Sequence, residues 1–129
     1  MTASTTTALH RILVIDDEQA TLFGVKRLLS DPDTNVDTAA TLDEAKELLD
    51  HHTYQLVLAD LRLSMTGAME GFEVIKHAKS VQPFVRVIVF TAYGTEEDKK
   101  KVLDMGAEMF MEKPVSPSAI RSILRSLSA

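Results

Sequence analysis

The rhythm of the sequence constrains its fold more than any single motif. Short, continuous apolar runs alternate with longer amphipathic stretches from residue 11 onward. "RILVI" (11–15), "YQLVLAD" (54–60) and "VRVIVFTA" (85–92) are rich in β-branched residues and lack the polar alternation of a half-exposed strand. Each reads as a strand buried on both faces. "NVDTAA" (35–40) is shorter and more polar, as an edge strand is, and "EMFME" (108–112) is a short fifth strand. The intervening stretches have helical period. Leu22, Val25, Leu28 and Leu29 mark the first, in which Gly24 is a weak point. Leu42, Ala45, Leu48 and Leu49 mark the second, which opens on a Thr41/Glu44 capping box. Phe72, Ile75 and Ala78 face inward from the third. The fourth starts at a Thr95 cap, spaces Glu96–Lys100 and Glu97–Lys101 as i,i+4 ion pairs, and stops at Gly106. The last has Ser116 as cap and Pro117 at its first position, with Ile120, Ile123, Leu124 and Leu127 on its apolar face.

Strict strand–helix alternation without an internal linker predicts an α/β, doubly wound, five-stranded parallel sheet with helices on both faces. Five units are too few for an eight-stranded barrel. Residues 10–129 are expected to form a single domain, and the Thr-rich residues 1–9 a flexible tail. The formal charge of −5, with no clustered basic excess, argues against a nucleic-acid-binding face. The absence of Cys excludes thiol catalysis and zinc–thiolate sites. No apolar stretch approaches the ~20 residues of a membrane span, and no secretory signal is recognisable, so the cytoplasm is the expected compartment.

The chemistry is expected where strands end. In an open parallel sheet the ligand crevice lies beyond the carboxyl ends of the strands, where strand order reverses. The first buried strand runs into Asp16 and Asp17, and the strand of residues 54–60 ends on Asp60. With both strands beside the switch point, three carboxylates converge. Two like charges ~4 Å apart repel by about 4 kcal/mol at an effective dielectric near 20, so the cluster calls for a cation or for protons. Oxygen-only donors suit a hard ion, and a wet, open mouth with few protein ligands suits Mg²⁺ better than Ca²⁺. Thr91 and Lys113 end two further strands, adding a hydroxyl and an ammonium. Together these are the parts of a phosphoryl-binding site, in which a carboxylate is also a competent nucleophile.

Four strings carry a more specific signal: "VIDDE", "LVLADLRL", "FTAYG" and "GAEMFMEKP". In order and spacing they resemble the receiver domain of two-component response regulators, over about residues 10 to 127. The resemblance implies a flavodoxin-like sheet of order 2-1-3-4-5. It implies that Asp60 is the phosphoacceptor. Asp16, Asp17, Asp60 and the backbone carbonyl of Arg62 would then hold Mg²⁺ or Mn²⁺. Lys113 would pair with Asp60 or the phosphoryl oxygens, and Thr91 and Phe110 would form the switch. Arg62 and Tyr93 would tune dephosphorylation. Ala92 would leave access to the phosphoryl group, and Pro114 would follow a cis peptide bond. The implied partners are a sensor histidine kinase or phosphotransfer protein, and an output domain or downstream protein. Homodimerisation through the fourth helix, fifth strand and fifth helix is a further implication. The chain departs from the family at Ser64, where Pro is common, and in a loop before Gly71 about three residues longer than usual. Met65 and Met69 in that loop are candidates for an apolar flap.

Each residue also has a plainer reading. Adjacent acids often make only a turn, in which Asp17 would cap the first helix. "KKK" (99–101) reads as a solvated helix face, and Phe110 as core. "DPDTNVD" (31–37) starts like a calcium loop, but Val36 and Leu42 stand where that loop needs Gly and Glu. Two other functions compete. A haloacid-dehalogenase-type phosphatase would need an Asp two residues beyond its nucleophile, where Glu18 stands. An interaction module independent of phosphorylation would share the fold.

Overall fold

The structure, a computed structural model, describes residues 10–63, 70–92 and 94–127. Ten elements alternate: β1 (His10–Ile15), α1 (Gln19–Leu29), β2 (Thr34–Ala39), α2 (Leu42–His51), β3 (Leu56–Asp60), α3 (Glu70–Val81), β4 (Arg86–Thr91), α4 (Glu96–Asp104), β5 (Met109–Glu112) and α5 (Pro117–Ser126). The five strands pair in parallel in the order β2-β1-β3-β4-β5. That is the expected doubly wound architecture, and it puts the order reversal between β1 and β3.

The continuous apolar runs follow from this arrangement. Alternate side chains of β1, β3 and β4 point to opposite faces, and both faces are covered. Leu13, Ile15, Val57, Ala59, Val87 and Val89 join Ala45 and Leu49 of α2, Val74, Ile75 and Ala78 of α3, and Val102 of α4. Ile12, Val14, Leu56, Leu58, Ile88 and Phe90 join Leu22, Val25 and Leu29 of α1, and Ile120 and Ile123 of α5. One face therefore carries three helices and the other two. The helices are unequally fastened: α3 buries four residues, whereas α4 buries only Val102.

Local signals resolve in detail. Ser116 accepts from the Ala119 N–H, as a cap should. Thr41 accepts from the Glu44 N–H at 3.1 Å, but Glu44 Oε1 reaches past Thr41 to the Ala40 N–H, so the expected box closes one residue early. The complete capping box belongs to α4, where Thr95 and Asp98 exchange both bonds. Gly106 ends α4 with φ +107, a conformation open to residues without a side chain. The i,i+4 pairs expected on α4 are not among its ion pairs. Lys100 turns toward the C-terminus to meet Asp104 at 2.8 Å, and Lys101 lies 4.0 Å above the Phe72 ring of α3. An aromatic face offers this ammonium more than an exposed carboxylate does. In the rejected calcium-loop string, Asp31 accepts from the Asp33 N–H and makes an ordinary turn.

Gln82, just after α3, was not singled out by the sequence. Its Oε1 accepts from the Tyr54 N–H at 2.8 Å, and its Nε2 donates to the carbonyls of Leu49 (2.9 Å) and His52 (2.7 Å). One amide thus fastens the α2–β3 connection to the end of α3. Gln82→Ala is expected to lower the unfolding free energy by about 1–3 kcal/mol, because three backbone groups lose a partner. Urea denaturation with an unchanged slope checks this.

Candidate functional site

The carboxyl edge of the sheet gathers the polar residues that the buried strands exclude. Asp16 is still held to the sheet, its N–H donating to the Ala39 carbonyl at 3.1 Å. Its side chain is fully buried, and Asp60 is 5% exposed at the end of β3. Asp17 is exposed. Each of the three acids places a carboxylate oxygen within 4.8 Å of the others. Lys113 follows β5 and is tied by its N–H to the Thr91 carbonyl at 3.0 Å. From there Nζ lies 3.0 Å from Asp60 Oδ2, 2.5 Å from Asp16 Oδ2 and 3.6 Å from Glu18 Oε1. The Phe90 ring lies under the ammonium at 5.3 Å. The Lys113–Pro114 peptide bond is cis.

Asp16 and Asp60 each have one carboxylate oxygen occupied by backbone and one turned toward Lys113. Asp16 Oδ1 accepts from the Glu18 N–H at 2.9 Å, and Asp60 Oδ1 accepts from the Arg62 N–H at 3.2 Å. Asp16 Oδ2 takes no directed hydrogen bond; it has only the ion pair with the ammonium. Burial pushes the Asp16 carboxyl above its ordinary range, against the opposing pull of Lys113 and the Glu18 N–H. Burial also works against the charge on Lys113, but Asp16 and Asp60 outweigh it and hold its pKa above the ordinary value. Three carboxylates share one cation, and a buried charge with an unfilled acceptor position remains.

That donor set fits a hard divalent ion. It is all oxygen, short of positive charge, and open to solvent on the Asp17 side. The first acids do not cap α1 through a side chain; Glu18 is the N-cap residue, and its side chain accepts from the Thr21 hydroxyl rather than from a backbone N–H. The turn reading of Asp16 and Asp17 thus accounts for one oxygen of Asp16 and leaves the other two carboxylates unexplained.

Thr91 and Phe110, the residues expected to form a switch, lie on β4 and β5. Thr91 is 1% exposed at the end of β4. Phe110, in β5, is half-buried against the α2–α4 face. Ala92 is exposed beside Thr91, and Arg62 is exposed next to Asp60. Tyr93, Ser64 and the Met65–Met69 flap lie outside the described residues. Glu18 and Gly94 belong to the site's surroundings, though the sequence motifs that contain them assigned neither a part in the site. Glu18 was visible as the third acid of "DDE", but its reach to Lys113 depends on the α1–β5 geometry. Gly71 lies so close to β3 that an added Cβ would overlap the Asp60 carbonyl oxygen and the Leu61 Cα. Its N–H donates to the Leu61 carbonyl at 2.8 Å, which fixes the chain after Asp60.

A family model described as "Response regulator receiver domain" matches residues 12–125. The chain is 32% identical over 111 residues to "Alginate biosynthesis transcriptional regulatory protein AlgB" of Pseudomonas aeruginosa, covering 86% of this chain and 24% of that relative. It thus spans about a quarter of that protein's length. A CheY-like response regulator receiver domain protein from Methanospirillum hungatei superposes with a TM-score of 0.81 at 30% identity, over 94% of this chain and 98% of that one. A response regulator from Burkholderia pseudomallei, "with a phosphorylated aspartic acid, calcium ion and citrate", gives 0.79 at 26%, over 92% and 69%.

The raised carboxyl of Asp16 has a pH signature. Its folded value lies above the unfolded one, so the native chain holds the proton more tightly. The contribution of Asp16 to stability is full below the ordinary value of 3.8 and is lost as pH rises through the folded value. In metal-free buffer the wild type is expected to lose stability relative to Asp16→Asn across that window. Paired urea titrations at several pH values measure the difference, and parallel curves would contradict it.

Proposed function

The chain belongs to the response regulator receiver domain family of two-component systems, and from that premise we propose that it is a phosphorylation switch with Asp60 as acceptor. The observation that carries this reading is the position of Asp60. Its carboxylate is almost buried, lies within 4.8 Å of two other acids, and is held by Lys113 at 3.0 Å. A phosphorylated aspartate in the Burkholderia pseudomallei relative supports the same chemistry. The donor is a phosphohistidine on a sensor kinase or phosphotransfer protein. A carboxylate oxygen of Asp60 attacks phosphorus as the P–N bond breaks, giving an acyl phosphate.

Asp16, Asp17, Asp60 and the Arg62 carbonyl would hold Mg²⁺ or Mn²⁺, which supplies positive charge to the phosphoryl oxygens when bound. The protein's own groups do the rest. Lys113 releases the Asp60 carboxylate and pairs with the phosphoryl oxygens, and the Thr91 hydroxyl donates to one of them. Ala92 leaves the approach open, while Arg62 and Tyr93 tune the hydrolysis of the acyl phosphate. Phe110 follows Thr91 and alters the α4–β5–α5 surface. That surface then binds an output domain, a downstream protein or a second copy. Moving such an equilibrium from 1:99 to 99:1 takes about 5.5 kcal/mol. A dianion contacting an ammonium, a hydroxyl and a metal site is of the right size for it. These partners place the chain in the cytoplasm.

The phosphatase alternative finds no support, since the matched family is a regulatory domain. Incubation with acetyl phosphate and Mg²⁺ is expected to add one phosphoryl group by intact mass. Asp60→Asn should add none, and chelation should suppress the adduct in the wild type. An unmodified wild type under these conditions would support the phosphorylation-independent interaction module instead.

Mg²⁺ alone should raise the melting temperature of the wild type, by ligand linkage. Asp17→Asn should remove most of that rise while retaining the fold, as thermal scans with and without chelator will show.

A further inference from the structure

Gly94 stands between Thr91 and the Thr95 cap of α4, in a segment that pairs with no strand. A Cβ built there would overlap Cζ of Phe110, come within 2.8 Å of Thr91 Cγ2, and within 3.0 Å of Phe110 Cε1. The ring tip of Phe110 and the methyl of Thr91 therefore converge on the one position in this turn that has no side chain. By contrast, a Cβ at Gly24 would meet nothing within 4 Å. Gly94 has no positive φ to account for it; Gly106 is the glycine with that conformation among the described residues. What requires glycine at 94 is the space its neighbours occupy.

We infer that Gly94 is a positioning residue: it is the seat that lets the Phe110 ring lie against Thr91 and under the entry to α4. The inference deepens the switch reading and rests on it. A methyl at 94 would meet the free end of a side chain, not backbone, so the ring yields and the sheet does not. Displaced from this seat, the ring turns toward solvent and can no longer follow Thr91. Because the seat lies one residue before the α4 cap, the position of the ring is felt where α4 begins. The capping box of Thr95 and Asp98 keeps that end rigid, and Val102 alone anchors the helix body in the core. A displacement at residue 94 therefore acts on the end of a lightly fastened helix.

The test is a double-mutant cycle on the full chain, Gly94→Ala in the wild-type and Phe110→Ala backgrounds. Two quantities are read: the urea midpoint, and the affinity for beryllofluoride with Mg²⁺ by isothermal titration. Gly94→Ala is expected to lower the midpoint and weaken beryllofluoride binding by about fivefold or more. Both effects should shrink sharply once the ring is removed. The remaining approach to Thr91 Cγ2 is relieved by Thr91→Ser, which keeps the hydroxyl, so a third background separates the two neighbours. Unchanged affinity in Gly94→Ala, or an equal loss without the ring, would overturn the inference while leaving the phosphoacceptor reading intact. A wild type that fails to bind beryllofluoride would remove that reading, and this inference with it.

Discussion

Lys113 holds the carboxyl edge of the sheet together. Asp16 is fully buried and Asp60 nearly so, and neither could remain charged there without compensation. The ammonium reaches both, and Glu18 besides, because β5 ends one residue short of it and its N–H is fixed to the Thr91 carbonyl. One cation among three or four acids is a compromise. It makes the pocket foldable, and it leaves a surplus of negative charge for a proton or an added cation to neutralise. The acidic cluster that could hold a divalent ion is thus a consequence of how the strand ends are made compatible with folding.

The fold was legible because each buried strand is a continuous apolar run, and few architectures bury a strand on both faces. The order of the strands was not in the periodicity; it came from the resemblance, and the pairing of β1 with both β2 and β3 bears it out. Cap residues were legible at Thr95 and Ser116 because a single side chain decides them. The Glu44 reach was misjudged by one residue, since either Ala40 or Thr41 offers a nearby N–H. Ion pairs on α4 were the least legible feature. Lys101 took an aromatic neighbour from α3, and no pattern within α4 could reveal it.

At the site, the three acids, Thr91 and Lys113 were readable as strand-end residues, and their convergence follows once the strands are parallel. What sequence could not supply was a contact made across the sheet by residues of ordinary type. Gln82 is such a residue, an amide that closes three backbone groups far from any motif. Gly94 is another. It sat within the "FTAYG" string, yet its role depends on the Phe110 ring, sixteen positions later and one strand away.

The sheet divides the interior into two apolar leaves that share no side chains. Phe90, beneath Lys113, belongs to the leaf of α1 and α5; Phe110 belongs to the leaf of α2, α3 and α4. Chemistry at the strand ends therefore borders both compartments, and the proposed α4–β5–α5 surface draws on both. Of its two helices, α5 is rooted by Ile120 and Ile123 and α4 by Val102 alone, so in the proposed switch a displacement costs least at α4.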